Sequence, residues 1–113
     1  MLSDSKDTLI IETLAYLRSH KAIPAIENVL NRCTRDIDKI VIAASIFTIN
    51  QDEGMADVAL QALAGIKNNY LLVLAFYFLS KIKNVKIKSV IEEYTHHPDY
   101  LVAYNAKRAF KEI

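Results

Sequence analysis

The chain reads as all-helical: a right-handed stack of about seven helices forming a single domain over residues 1–113. Three observations point there. Apolar residues recur at three- and four-residue spacings almost throughout, the period of one helix face. Glycine and proline occur only twice each, too few for the turns of a β-rich fold. Large and small apolar residues also return together at intervals of 30 to 32 residues.

The first helix is expected over about residues 8–19, with Leu9, Leu14 and Leu17 inward. The second covers about residues 22–34. Pro24 falls in its first turn, where a missing N–H costs nothing, and Ile23, Ile26, Val29, Leu30 and Cys33 form its buried stripe. Asp36 is the expected N-cap of a third helix over about residues 37–49. Its centre, residues 40–46, is apolar nearly all round, which suits an interior position. Asn50 and Glu53 have capping-box spacing ahead of a fourth helix, about residues 53–67, with Met55, Val58, Ala62, Leu63 and Ile66 inward.

Asn69 is the expected cap of a fifth helix over about residues 70–83, and Asn84 of a sixth over about residues 85–95. The apolar run at residues 70–79 is shorter than the roughly 20 residues of a membrane span, so it reads as a helix covered on both sides by protein. Lysines alternate with apolar residues across residues 81–88, a strand-like pattern. An isolated pair of very short strands is unstable, so a helix end, a turn and a helix start are expected there. Pro98 and Asp99 then mark a turn and cap before a seventh helix, about residues 100–112.

The internal repeat organises these elements. Leu17, Phe47, Leu79 and Phe110 occupy equivalent late positions in the odd-numbered helices. Four residues earlier stand Thr13, Ala43, Ala75 and Ala106, and eight earlier Leu9, Lys39, Leu71 and Val102. In the even-numbered helices Ile23, Met55 and Ile87 correspond, as do Ile26, Val58 and Val90, then Leu30, Ala62 and Tyr94. A small residue lets helices approach and a large one fills the gap between layers. No single helix pair could bury its apolar face, so the pairs must stack.

This pattern resembles the HEAT repeat family, through residues 22–26 (Ala-Ile-Pro-Ala-Ile) and residues 102–113, where Val102, Ala106, Ala109 and Phe110 stand in the expected order. The resemblance implies a HEAT-like α-solenoid that binds another macromolecule. The proline occurs in one pair only, and Thr13 and Lys39 break their columns, which leaves a plain helical bundle as the alternative.

Composition excludes several classes. Hydrophobic residues make up 52% and charged residues 24%, so the chain is not disordered. The net charge of +1 gives no general attraction to polyanions. Charge is uneven: residues 1–70 hold nine acids and seven bases, residues 71–113 four acids and seven bases. Cys33 is the sole cysteine, so no intramolecular disulfide can form, and the acidic opening lacks a signal peptide's features. A cytoplasmic location is expected.

Catalytic signatures are sparse. The histidines His20, His96 and His97 lack zinc-motif spacing, and the latter two read as solvated turn residues beside Asp99. Cys33 reads as a buried thiol. The carboxylate pairs Asp36/Asp38, Asp52/Glu53 and Glu92/Glu93 read as helix-start acids or a solvated face. No metal, cofactor or catalytic residue is expected. Tyr16, Tyr77, Tyr94 and Tyr104 fall on or beside buried stripes while Tyr70 and Tyr100 open helices, so most tyrosines are expected in or at the edge of the core.

The binding surface is expected on the even-numbered helices: Glu27, Asn28, Arg32, Arg35, Asp57, Gln61, Lys88, Ser89, Glu92 and Glu93. Mixed signs suit one dedicated protein partner. The size and the Ile-, Lys- and Asn-rich composition resemble bacterial immunity proteins, which neutralise a toxin domain in contact-dependent growth inhibition. Two alternatives remain. One is a nucleic-acid-binding module using Lys81, Lys83, Lys86, Lys88, Lys107, Arg108 and Lys111. The other is a small HEAT-like lyase or enzyme subunit relying on Cys33 or His97.

Overall fold

A computed structural model describes residues 20–113. After a single 3-10 turn at His20–Ala22 come six α-helices: α1 (Ile23–Arg32), α2 (Asp36–Asn50), α3 (Gly54–Ala64), α4 (Asn69–Leu79), α5 (Val85–Tyr94) and α6 (Tyr100–Glu112). Among the described residues there is no strand; α4 ends at Leu79, short of the expected residue 83, and residues 80–84 form the turn that leads into α5 at Val85. The helix expected over residues 8–19, with Thr13, Tyr16 and Leu17, lies outside the described residues.

Helix boundaries follow local capping chemistry. Asn84 and Asp99 cap as expected, their side chains accepting from the backbone N–H of Lys86 and Val102 at 2.8 and 3.1 Å. Three other caps differ from expectation. Asn68, not Asn69, accepts from Leu71 N–H at 3.1 Å, because Asn69 is the first helical residue and turns its side chain to Asp99, 3.2 Å away. Asp36 lies inside α2, with Arg35 at the N-cap position and no side-chain cap bond. The Asn50–Glu53 capping box does not form. Asn50 ends α2, Gln51 turns the chain with a left-handed φ of 59°, and Asp52 accepts from Gly54 N–H at 2.9 Å.

Packing is organised around α2. Every residue from Ile40 to Phe47 is buried, as its all-round apolar centre predicts. One side joins Ile26 and Cys33 of the α1 region through Ile42, Ile46 and Ile49. The other joins the main core through Ile40, Ala43, Ala44 and Phe47. Ser45 and Thr48 satisfy their hydroxyls on the carbonyls of Val41 and Ala44, at 3.0 and 2.9 Å.

α2 packs on α3 and α4, α4 on α6, and α5 on α6 and more lightly on α3. The molecule is correspondingly elongated, 41 × 27 × 20 Å. The small-residue column falls in the row α2, α4, α6: Ala43, Ala75 and Ala106 are fully buried. Phe47 and Leu79, four residues on, are buried with them, and Phe110 packs against the same core. α4 and α6 run parallel with their ends aligned. Asn69 bonds Asp99 at their N-terminal ends, and the ammonium of Lys83, in the turn that follows α4, donates to the Glu112 carbonyl at the C-terminal end of α6.

Enlarging a member of this column has nowhere to go. Ala75→Leu should destabilise by about 1–3 kcal/mol, because overpacking forces off-rotamer side chains and backbone shifts. Urea denaturation followed by circular dichroism checks this, with Leu101→Ala, at a 61% exposed position, as the near-neutral control.

Candidate functional site

The residues expected to bind a partner are placed on α1, α3 and α5 and the turn after α1, and all are exposed: Glu27, Asn28, Arg32, Arg35, Asp57, Gln61, Lys88, Ser89, Glu92 and Glu93. Several already have work within the chain. Arg35 pairs with Asp38 at 2.7 Å, and Lys86 reaches across from α5 to Asp57 at 3.2 Å. The Lys88 ammonium lies 4.9 Å from the Phe110 ring centroid. An open cleft of about 390 Å³ separates Leu30 and Asn31 from Val58 and Gln61, bringing the α1 and α3 parts of this surface to one groove.

The candidate reactive groups are embedded in structure. Cys33 is buried, in the cluster with Ile26 and Ile42. His97 accepts from Asp99 N–H through Nδ1 at 3.0 Å, and its ring stacks on Tyr94 at 6.3 Å. Both contacts fix the turn that delivers the α6 cap. Among the described residues no group of three or more His, Cys, Asp or Glu is placed to hold a metal ion.

The tyrosines depart from expectation. Among the described tyrosines only Tyr94 is half-buried, edge-on to Phe76 at 5.3 Å. Tyr70, Tyr77 and Tyr100 are 70%, 60% and 75% exposed, and Tyr104 is 48% exposed. The run at residues 70–79 is therefore covered on part of its circumference only. α4 buries Leu72, Ala75, Phe76 and Leu79, while Tyr70, Leu74 and Tyr77 face outward at helical spacing. α6 repeats the arrangement, burying Val102, Ala106 and Ala109 and exposing Tyr100, Leu101 and Tyr104.

Between the two helices runs a notch of about 130 Å³, bordered by the exposed Tyr77 and lined further by Val73, Phe76 and Ser80 from α4 and by Asn105, Arg108, Ala109 and Glu112 from α6. The Lys81 ammonium sits 4.8 Å from the Tyr77 ring centroid, and Tyr100 stacks with Tyr104 at 6.1 Å. Sequence reasoning missed this surface. Its only signal is that residues 70–79 are apolar or aromatic at nearly every angle, with no marker for the uncovered side.

Comparison with models of known protein families, with curated proteins and with solved structures finds no match.

Burial, and then the charge of Glu93, holds the Tyr94 phenol above its ordinary pKa. Stability carried by the protonated phenol is complete below the ordinary value of about 10 and is lost as pH rises through the raised value. Tyr94→Phe removes that component. Its urea midpoint should therefore fall less than that of the wild type between roughly pH 9 and pH 11.

Proposed function

We propose that this chain is a protein-binding module: helix pairs stacked as a HEAT-like solenoid, presenting an outer face to one dedicated partner. The observation that carries this reading is the set of large apolar side chains left in solvent on neighbouring, parallel helices. Tyr70, Leu74 and Tyr77 of α4 and Tyr100, Leu101 and Tyr104 of α6 are exposed on two helices packed against each other. Scattered exposed apolar residues are ordinary, but a contiguous group rich in tyrosine on a rigid scaffold is the composition of a protein interface. Tyrosine offers large contact area and a polar tip at little entropic cost.

The solenoid arrangement is supported by the row α2, α4, α6, with its buried alanine at each repeat, and by the contact of α3 with α5 in a second row. An immunity protein that covers a toxin's active site is the most specific form of the proposal.

The basic residues argue against a phosphate-binding role. Lys83, Lys86 and Lys88 are engaged within the chain, by the Glu112 carbonyl, Asp57 and the Phe110 ring. A continuous basic track is thereby interrupted.

Affinity capture on the tagged full-length chain tests the reading, with washes at low and high salt and detection of both protein and nucleic acid. The wild type should retain one stoichiometric protein through the high-salt wash. A Leu74→Asp/Tyr104→Asp variant with an unchanged circular dichroism spectrum should lose it. Nucleic acid released by salt, or a partner indifferent to the variant, would overturn the proposal.

A further inference from the structure

The α4/α6 face is polarised along its length, and that polarity defines the partner it fits. Both helices run in the same direction with matched ends. On each, the exposed apolar residues come first and cations follow. Tyr70, Leu74 and Tyr77 precede Lys81 on the α4 side, while Tyr100, Leu101 and Tyr104 precede Arg108 on α6. The apolar side chains therefore gather at one end of the face and the positive charges at the other.

The charge balance is one-sided. Segments 69–83 and 99–113 hold five bases, Lys81, Lys83, Lys107, Arg108 and Lys111, against two acids, Asp99 and Glu112. Asp99 is occupied as the α6 cap and by Asn69, and Lys83 by the Glu112 carbonyl. Arg108 has no ion-pair partner among the described residues, whereas Lys107 and Lys111 border a separate cleft with Glu92 of α5. Arg108 also lines the notch, so a guanidinium stands where a docked chain would enter.

We propose that this face docks an acidic amphipathic segment of a partner protein. Its apolar side chains lie over Leu74, Tyr77 and Tyr104, with one seated in the notch, and its carboxylates follow toward Lys81 and Arg108. The proposal rests on the protein-binding reading above and adds the chemistry of the partner. The eleven residues of α4 span about 16 Å, so a segment of about three helical turns matches the face. Aromatic rings and cations together would also suit single-stranded nucleic acid, whose bases stack on open ring faces. Leu74 and Leu101 break the run of tyrosines on each helix with exposed aliphatic side chains on which a base has no ring to stack, which favours apolar side chains as the occupants.

Selection of random 12-residue peptides displayed on phage against the full-length chain tests this. Enriched peptides should carry at least two apolar residues and a net negative charge. A fluorescent synthetic copy of the most enriched peptide should bind at least tenfold more weakly to Lys81→Glu/Arg108→Glu and to Leu74→Asp, each checked for an unchanged circular dichroism spectrum. It should bind Ala25→Lys, at an exposed position of α1, with unchanged affinity. Neutral or basic peptides that still depend on Leu74 would remove the acidic assignment and leave protein binding standing. Peptides indifferent to all the α4/α6 variants would remove this face. A fluorescent oligothymidylate binding more tightly than any peptide, and released by salt, would overturn both readings.

Discussion

Close approach of α2, α4 and α6 through one alanine per helix sets the rest of the structure. Ala43, Ala75 and Ala106 are fully buried, and the large residues one turn later share their core. A side chain the size of leucine in the column would push adjacent helices apart and open voids around Phe47 and Leu79. With the spacing held, α4 is gripped between α2 and α6, and α3 and α5 close the second row. One stripe of α4 is left without a neighbour in the described fold. The exposure of Leu74 and Tyr77 is the geometric remainder of that packing.

The same constraint explains what could be read from the residues and what could not. Helix positions, the turn at residues 81–88 and the interior place of α2 follow from periodicity and from asparagine and aspartate caps, which are local. The exposed face does not. Residues 40–46 and residues 70–79 are both apolar at nearly every angle, and hydropathy treats them alike. α2 is covered all round because Ile26 and Cys33 close its second side. α4 has no such cover over Tyr70, Leu74 and Tyr77. Whether an apolar helix is interior depends on how many neighbours reach it, and that is tertiary information.

The shifted caps have a similar origin on a smaller scale. Asn68 and Asn69 are equally good capping residues by type. A bond between residues 30 positions apart, Asn69 to Asp99, takes the second asparagine's side chain and leaves Asn68 to cap α4. Gln51 in the left-handed region likewise ends α2 where spacing alone suggests a capping box. The polar residues expected to form the binding surface are all in solvent, yet Asp57 and Lys88 are partly spent on contacts within the chain. Exposure alone therefore does not separate binding residues from those that tie α3, α5 and α6 together. The tyrosine-rich face differs because burying it would gain free energy that no intramolecular contact supplies.

Which face meets the partner is the central question, and site-specific photocrosslinking reads it directly. A benzophenone amino acid would be placed at Tyr77 on α4 in one variant and at Gln61 on α3 in another, each made in the native cells and irradiated. Crosslinking of a single protein from position 77, with none from position 61, is the predicted result. Crosslinking from position 61 alone would place the contact on the mixed-charge surface of α1, α3 and α5, and would contradict a binding role for the α4/α6 face.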